Sequence, residues 1–263
     1  MKNFIQINKP YILALYIFSF TLFVSQTACV SSKNAINSNP AAAGFNQTGS
    51  DAKAIAIADE VMKAMGGRKA WDNTRYITWN FFGFRKLTWD KKMGDVRVEN
   101  IKAKNTVLFN INTMKGTAKK AEGIVTDSTE LAILLDKAKK IWINDSYWLV
   151  MPFKLKDSGV TLKYLGEETE KDQTSQVLQL TFEKVGVTPE NKYKVYVNPT
   201  THLVTKWAFF RKSEDVKPEF ENVWSDYLSQ GKILLSGNRG RTEGNLTEIK
   251  IDTKLPKTFF TKF

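Results

Sequence analysis

Arg75-Tyr76-Ile77-Thr78-Trp79-Asn80-Phe81 carries Ile77, Trp79 and Phe81 at every second position, with Thr78 and Asn80 between them. Successive side chains of a strand point to opposite faces, so this spacing predicts a strand with one face of large apolar groups and one polar face. Just upstream the period differs. From Asp51 to Met65, residues Ala54, Ile57, Ala58, Val61, Met62 and Met65 recur at helical spacing, and Gly66-Gly67 supplies a C-terminal stop. The chain therefore passes from an amphipathic helix into a sheet.

The alternation continues through Phe84 to Trp89, Asp95 to Ile101, Asn105 to Ile111 and Thr117 to Ile124, across short polar turns that imply an antiparallel meander. A second helix starts at Asp127, with Glu130 three positions on as a capping box, and carries Leu131, Leu134, Leu135, Ala138, Ile141 and Trp142. Asn144 to Leu155 is too apolar for a solvent loop, and Pro152 argues against a long helix, so this segment is expected to be buried or to form a lid. Strands resume with Val160 to Leu165, Val177 to Phe182, Lys192 to Val197 and Leu203 to Phe210, the last two joined by a hairpin at Asn198 to Thr201. Phe220 to Leu228, Lys232 to Ser236 and Leu246 to Ile251 complete the set. Val223 and Trp224 would face opposite ways, which leaves the parity of the Phe220 segment open. No short-period repeat and no Pro/Gly/Ser-rich break follows Ser50, so one sheet is expected. The fold class is α+β: a strongly curved antiparallel sheet, covered on one face by helices.

The N-terminus reads as an export signal. Lys2 and Lys9 precede an apolar run from Tyr11 to Val24 that is shorter than the roughly 20 residues needed to span a bilayer. Gln26-Thr27-Ala28-Cys29 resembles a bacterial lipobox, with Gln26 where an aliphatic residue is usual. By that resemblance residues 1–28 are a lipoprotein signal peptide and Cys29 is acylated. With Val30 and Ser31 next, where an Asp would resemble an inner-membrane retention signal, the location implied is the periplasmic face of the outer membrane, lipid-anchored. Residues 29–50 are rich in Asn, Ser, Ala and Gly and read as a flexible tether, leaving 51–263 as the folded domain.

Composition narrows the chemistry. One cysteine and one histidine among 263 residues exclude an internal disulfide and a multi-histidine metal site. A Ser-His-Asp relay would have to pass through His202, just after the hairpin turn, and no Gly-x-Ser-x-Gly elbow exists. Gly237-Asn238-Arg239-Gly240-Arg241 lacks a Walker Lys-Ser/Thr and reads as a loop. Neither a catalytic residue, a metal nor a cofactor is expected. The net charge of +12 belongs to a chain that export would keep from nucleic acid, and suits a solvated outer face or attraction to anionic headgroups.

Several phrases resemble the LolA-like family of outer-membrane lipoprotein carriers, in the form found in Bacteroidetes-type lipoproteins. They are Met65-Gly66-Gly67 with Ala70-Trp71-Asp72, Trp79-Asn80-Phe81-Phe82-Gly83 with Trp89-Asp90, Asn144 to Leu149 with Pro152 to Leu155, Tyr193 to Pro199, and Trp207-Ala208-Phe209. The resemblance implies a half-open barrel with an apolar cavity for acyl chains, and no covalent chemistry. Trp79, Phe81, Val98, Phe109, Leu162, Leu180, Val195 and Trp207 are then expected on the sheet side of that cavity, with Leu134 and Trp148 in its cover. Parity alone leaves open whether the hollow is filled; a partly vacant one is the expectation. The partners implied are membrane lipid or lipoprotein acyl chains, with the membrane surface reached through Cys29. The alternatives are a sensing or protein-interaction module on the same fold and, further off, an enzyme acting on envelope lipids or glycans.

Overall fold

The computed structural model describes residues 38–183, 186 and 188–263; the expected leader and Cys29 lie outside them. Two helices come first, α1 (Ala52–Ala64) and α2 (Arg68–Asn73). The helical stripe of α1 buries Ala54, Ile57, Ala58, Val61 and Met62. Its end docks on a later strand where Leu234 N donates to Met65 O at 3.0 Å. Gly66 there has φ +110°, and a Cβ would stand 2.3 Å from the Lys232 carbonyl oxygen, so only glycine fits the approach.

Six strands follow: β1 (Tyr76–Phe81), β2 (Arg85–Asp90), β3 (Asp95–Asn100), β4 (Asn105–Asn110), β5 (Gly116–Lys120) and β6 (Gly123–Ile124). Helix α3 (Ser128–Val150) comes next and passes into a 3-10 turn at Met151–Lys154. The remaining strands are β7 (Val160–Glu170), β8 (Gln173–Phe182), β9 (Lys192–Val197), β10 (Val204–Phe210), β11 (Phe220–Val223), β12 (Ser225–Gln230), β13 (Ile233–Asn238) and β14 (Leu246–Asp252). Every pairing among them is antiparallel.

The strands form three ladders in the orders β14-β1-β2-β3-β4-β5-β6, β11-β10-β9-β8-β7 and β12-β13. The small hairpin lies between the larger two, with β13 beside β14 and β12 beside β10. One continuous hydrophobic cluster takes in apolar residues from all three ladders and from the helices. The architecture is therefore the expected one, an α+β fold in which antiparallel sheet wraps a core covered by helices without closing into a barrel. The alternation in β1 fulfils its prediction: Ile77, Trp79 and Phe81 all enter that core.

The structure corrects four details. The single sheet is divided, because at Trp224 the chain leaves the β10 ladder and joins β13, the backbone N–H of Trp224 donating to Thr205 O at 2.7 Å. This resolves the open parity: Val223 is exposed and Trp224 buried. Helix α3 runs through Asn144 to Val150, and Pro152 is accommodated because it stands in the first turn of the 3-10 segment, where no N–H is needed. The short helix α2 had no apolar period to announce it.

The fourth correction concerns the expected tether. Within residues 29–50, those from Ser38 onward lie against the domain. Phe45 is buried in the core, Ala42 N donates to Lys156 O, Asn46 N to Val160 O and Gly159 N to Gly44 O, at 2.8–3.0 Å. Asn39 donates to Asp59 at 2.8 Å. A composition average misses this, since one aromatic anchor and paired backbone groups suffice to hold a short polar segment.

Candidate functional site

The ten residues expected around a cavity all join the same core. Trp79, Leu162, Leu180 and Val195 have no accessible surface, and Phe81, Val98, Phe109 and Trp207 are buried. Leu134 and Trp148 are half-buried against the cluster from α3. The wall of a void wide enough for water would retain accessible area. At these positions side chain meets side chain, so the expectation of a partly vacant hollow is corrected: the interior is packed.

Pairing explains which of them meet. Trp207 stands opposite Val195, Leu162 opposite Leu180, and Val98 opposite Val107. Trp148 reaches down from α3 to place its ring 4.9 Å from Trp207 and 6.1 Å from Phe81, both edge-on. These contacts bring Phe81, Trp148, Val195 and Trp207 together, while Val98 and Phe109 lie on β3 and β4, strands that α3 also crosses.

The sequence reading missed much of the aromatic surround. Tyr147, one residue before Trp148, sits 6.0 Å from Trp207 and 5.5 Å from Tyr193. Tyr193 stacks on Trp207 at 5.0 Å, and Trp224 meets Trp207 edge-on at 5.4 Å. Phe82 and Phe220 flank Trp148 at 5.2 and 5.9 Å. Tyr147 had a weak signal in the apolar run it belongs to. Trp224 had none that settled its face, because its strand breaks there.

Polar atoms within this apolar mass are mostly donors. Trp79 Nε1, Trp207 Nε1, Trp224 Nε1 and Tyr147 Oη are buried without a hydrogen-bond partner, as are Trp89 Nε1 and Trp142 Nε1 nearer the start of α3. Burial drives the Tyr147 phenol well above its usual range and pushes Tyr193 up to about 12. A buried donor left unpaired costs about 1–3 kcal/mol, so this interior carries several unmet demands for an acceptor.

Arg239 adds a charge. Its guanidinium is 1% exposed, lies 3.7 Å above the Trp224 ring and donates to Ser236 Oγ, Ser236 O, Asn238 O and Trp148 O. Its Nε has no partner, and none of its acceptors is a carboxylate. Burial pulls it down to about 9, with the nearby Tyr227 acting the other way. Holding a cation near the last carbonyls of α3 suits the negative end of the helix. The loop reading of residues 237–241 gave no hint of this role.

A second arginine binds α3 from below. Arg85 of β2 clasps the fully buried Asp145 with two hydrogen bonds of 2.7 and 3.0 Å, and Asn144 adds a third at 3.0 Å. Burial raises the Asp145 carboxyl, and these hydrogen bonds oppose the rise. His202 has φ +56° in the hairpin turn, where its N–H bonds Asn198 O at 2.9 Å, a structural position. Among the described residues no three His, Cys, Asp or Glu side chains gather in a metal-binding cluster, and no helix is long and apolar enough to cross a membrane.

Residues 101–250 match the model of a family of unknown function, DUF6503. Comparison with characterised proteins finds no match. Among solved structures, a DUF1329 family protein from Desulfovibrio piger is similar at 14% identity, with 80% of this chain and 97% of that one covered and a TM-score of 0.44. A putative outer membrane lipoprotein-sorting protein domain from Vibrio parahaemolyticus has 12% identity, the same coverage and a TM-score of 0.38. A LolA superfamily protein from Nitrosomonas europaea has 10% identity, again the same coverage, and a TM-score of 0.36. These scores and identities are too low to carry a functional reading from those proteins to this one.

Proposed function

The chain belongs to DUF6503, a family of unknown function, and from its own geometry we propose that it is a non-enzymatic lipid-binding protein of the cell envelope. In this reading Cys29 is acylated, the domain is held at the periplasmic face of the outer membrane, and it takes an acyl chain of a lipid or lipoprotein between its sheets and α3 for transport or sorting. The observation that carries the reading is the set of partnerless donors Trp207 Nε1, Trp224 Nε1, Tyr147 Oη and Arg239 Nε, whose side chains meet one another through Trp207 and Trp224. A hydrocarbon tail ending in ester, amide or carboxylate oxygens satisfies both halves of that environment: the rings receive methylenes, at about 0.8 kcal/mol each, and the donors receive acceptors. In this reading the packed interior is the ligand-free form, and a tail takes its place by displacing the Tyr147 and Trp148 side chains from Trp207 while the arginine clasps keep α3 in place. The sequence resemblance to LolA-like carriers agrees with this.

The packed interior also suits the alternative of a sensing or protein-interaction module, which needs no ligand. Native mass spectrometry separates the two. The chain from residue 29 onward, carrying Cys29→Ser and exported by a cleavable secretory leader in place of residues 1–28, is recovered from the envelope without detergent and weighed. Bound lipid mass is expected, reduced at least several-fold in Tyr147→Phe and Trp207→Phe. A chain that comes out ligand-free overturns the lipid-binding reading and leaves the interaction module.

A further inference from the structure

The outer surface of the main sheet carries a second feature that the interior does not use. At the end formed by the β1–β2 and β3–β4 turns, Phe84 and Ile101 are neighbours, joined by Ile101 N donating to Phe84 O at 3.0 Å. Both are large apolar residues in water, at 54% and 49% exposure. Beside them an open groove of about 510 Å³ runs between the sheet and Phe263, lined by Ile101, Lys86, Lys104, Lys119 and Lys120 among others.

The charges in this region are lopsided. Lys86 is paired with Glu248 and Lys120 with Glu130. The acid lining the groove, Glu99, is taken by Arg97. Lys104 and Lys119, and Lys102 in the same turn as Ile101, have no ion-pair partner among the described residues. Exposed apolar tips flanked by unpaired lysines are what a bilayer interface accepts: the apolar groups enter at the headgroup boundary, and the lysines meet anionic headgroups. A free anion would account for the lysines but give Phe84 and Ile101 nothing to do.

We propose that this end of the sheet is a docking surface for an anionic lipid bilayer, seating the domain on the membrane through Phe84 and Ile101 with Lys102, Lys104 and Lys119 around them. The inference needs no ligand in the interior, so it stands or falls separately from the acyl-chain reading.

The test uses the chain from residue 29 onward, free of the expected leader, carrying Cys29→Ser and Ile101→Cys, whose one thiol holds an environment-sensitive fluorophore. On vesicles of phosphatidylethanolamine and phosphatidylglycerol (3:1) the emission shifts to the blue, and 0.5 M salt removes most of the shift. On pure phosphatidylcholine vesicles it stays at the aqueous value. Adding Lys102→Glu, Lys104→Glu and Lys119→Glu raises the lipid concentration for half-maximal shift at least tenfold, and Phe84→Ser does so several-fold. These exposed positions tolerate substitution, and near-UV circular dichroism verifies the fold of each variant. A label that remains aqueous on the anionic vesicles, or responds equally on neutral ones or with the three lysines reversed, overturns the proposal. A surface that instead retains a protein would show the first of these results.

Discussion

Tyr147 illustrates the conflict between stability and binding at the scale of one residue. Its hydroxyl is buried and bonds to nothing, so removing it relieves a desolvation cost and leaves the ring contacts with Tyr193 and Trp207 in place. Tyr147→Phe should leave the stability at pH 7 unchanged or raise it by about 1 kcal/mol, read from urea unfolding, while lipid retention falls. A loss of more than about 1 kcal/mol would mean that the hydroxyl has a structural partner. The sequence allowed part of this site to be read. Trp79, Phe81 and Trp207 were legible because strand parity alone sends them inward. Arg239 was not, because nothing in a Gly-Asn-Arg-Gly-Arg loop announces a guanidinium stacked on Trp224.

Helix α3 shows how an element can be half legible. Its start is written locally: the Asp127 side chain accepts from Glu130 N at 2.7 Å, the cap that the sequence pattern predicts. Its end is decided from outside, by the Arg85 clasp on Asp145 and the Arg239 bond to Trp148 O, both long-range contacts that no local window contains. The segment from Ser38 to Ser50 is the opposite case, polar by composition yet ordered by what it lies on. Phe45→Ser should cost about 2 kcal/mol in urea unfolding, from lost burial of the ring, and should make residues 38–50 the first site of limited proteolysis. An unchanged unfolding midpoint would restore the tether reading for these residues.

For the whole molecule, the buried phenols set the alkaline limit. Burial raises Tyr147, Tyr193, Tyr196 and Tyr227 above the ordinary value of 10, Tyr193 and Tyr196 to about 12. The unfolded chain therefore ionises these groups first, and the stability that they contribute is whole below pH 10 and is lost as pH rises toward their folded values. Arg239 works with the opposite sign: pulled down to about 9, it sheds its proton first in the folded state, which favours folding as pH climbs above about 9. The urea midpoint should hold or rise slightly from pH 8 to 10 and then fall steeply to pH 12, with Tyr147→Phe softening the fall. A midpoint that declines no faster above pH 10 than below it would show these phenols to be solvated. By itself the sequence determined the α+β class, the meander and the inward faces, because period and turn chemistry are local and side-chain direction follows from them. The tertiary structure decided that the interior closes solid, that the sheet divides at Trp224 and that two arginines hold α3. Those outcomes depend on how volumes and charges far apart in the chain meet, and no residue encodes its distant neighbour.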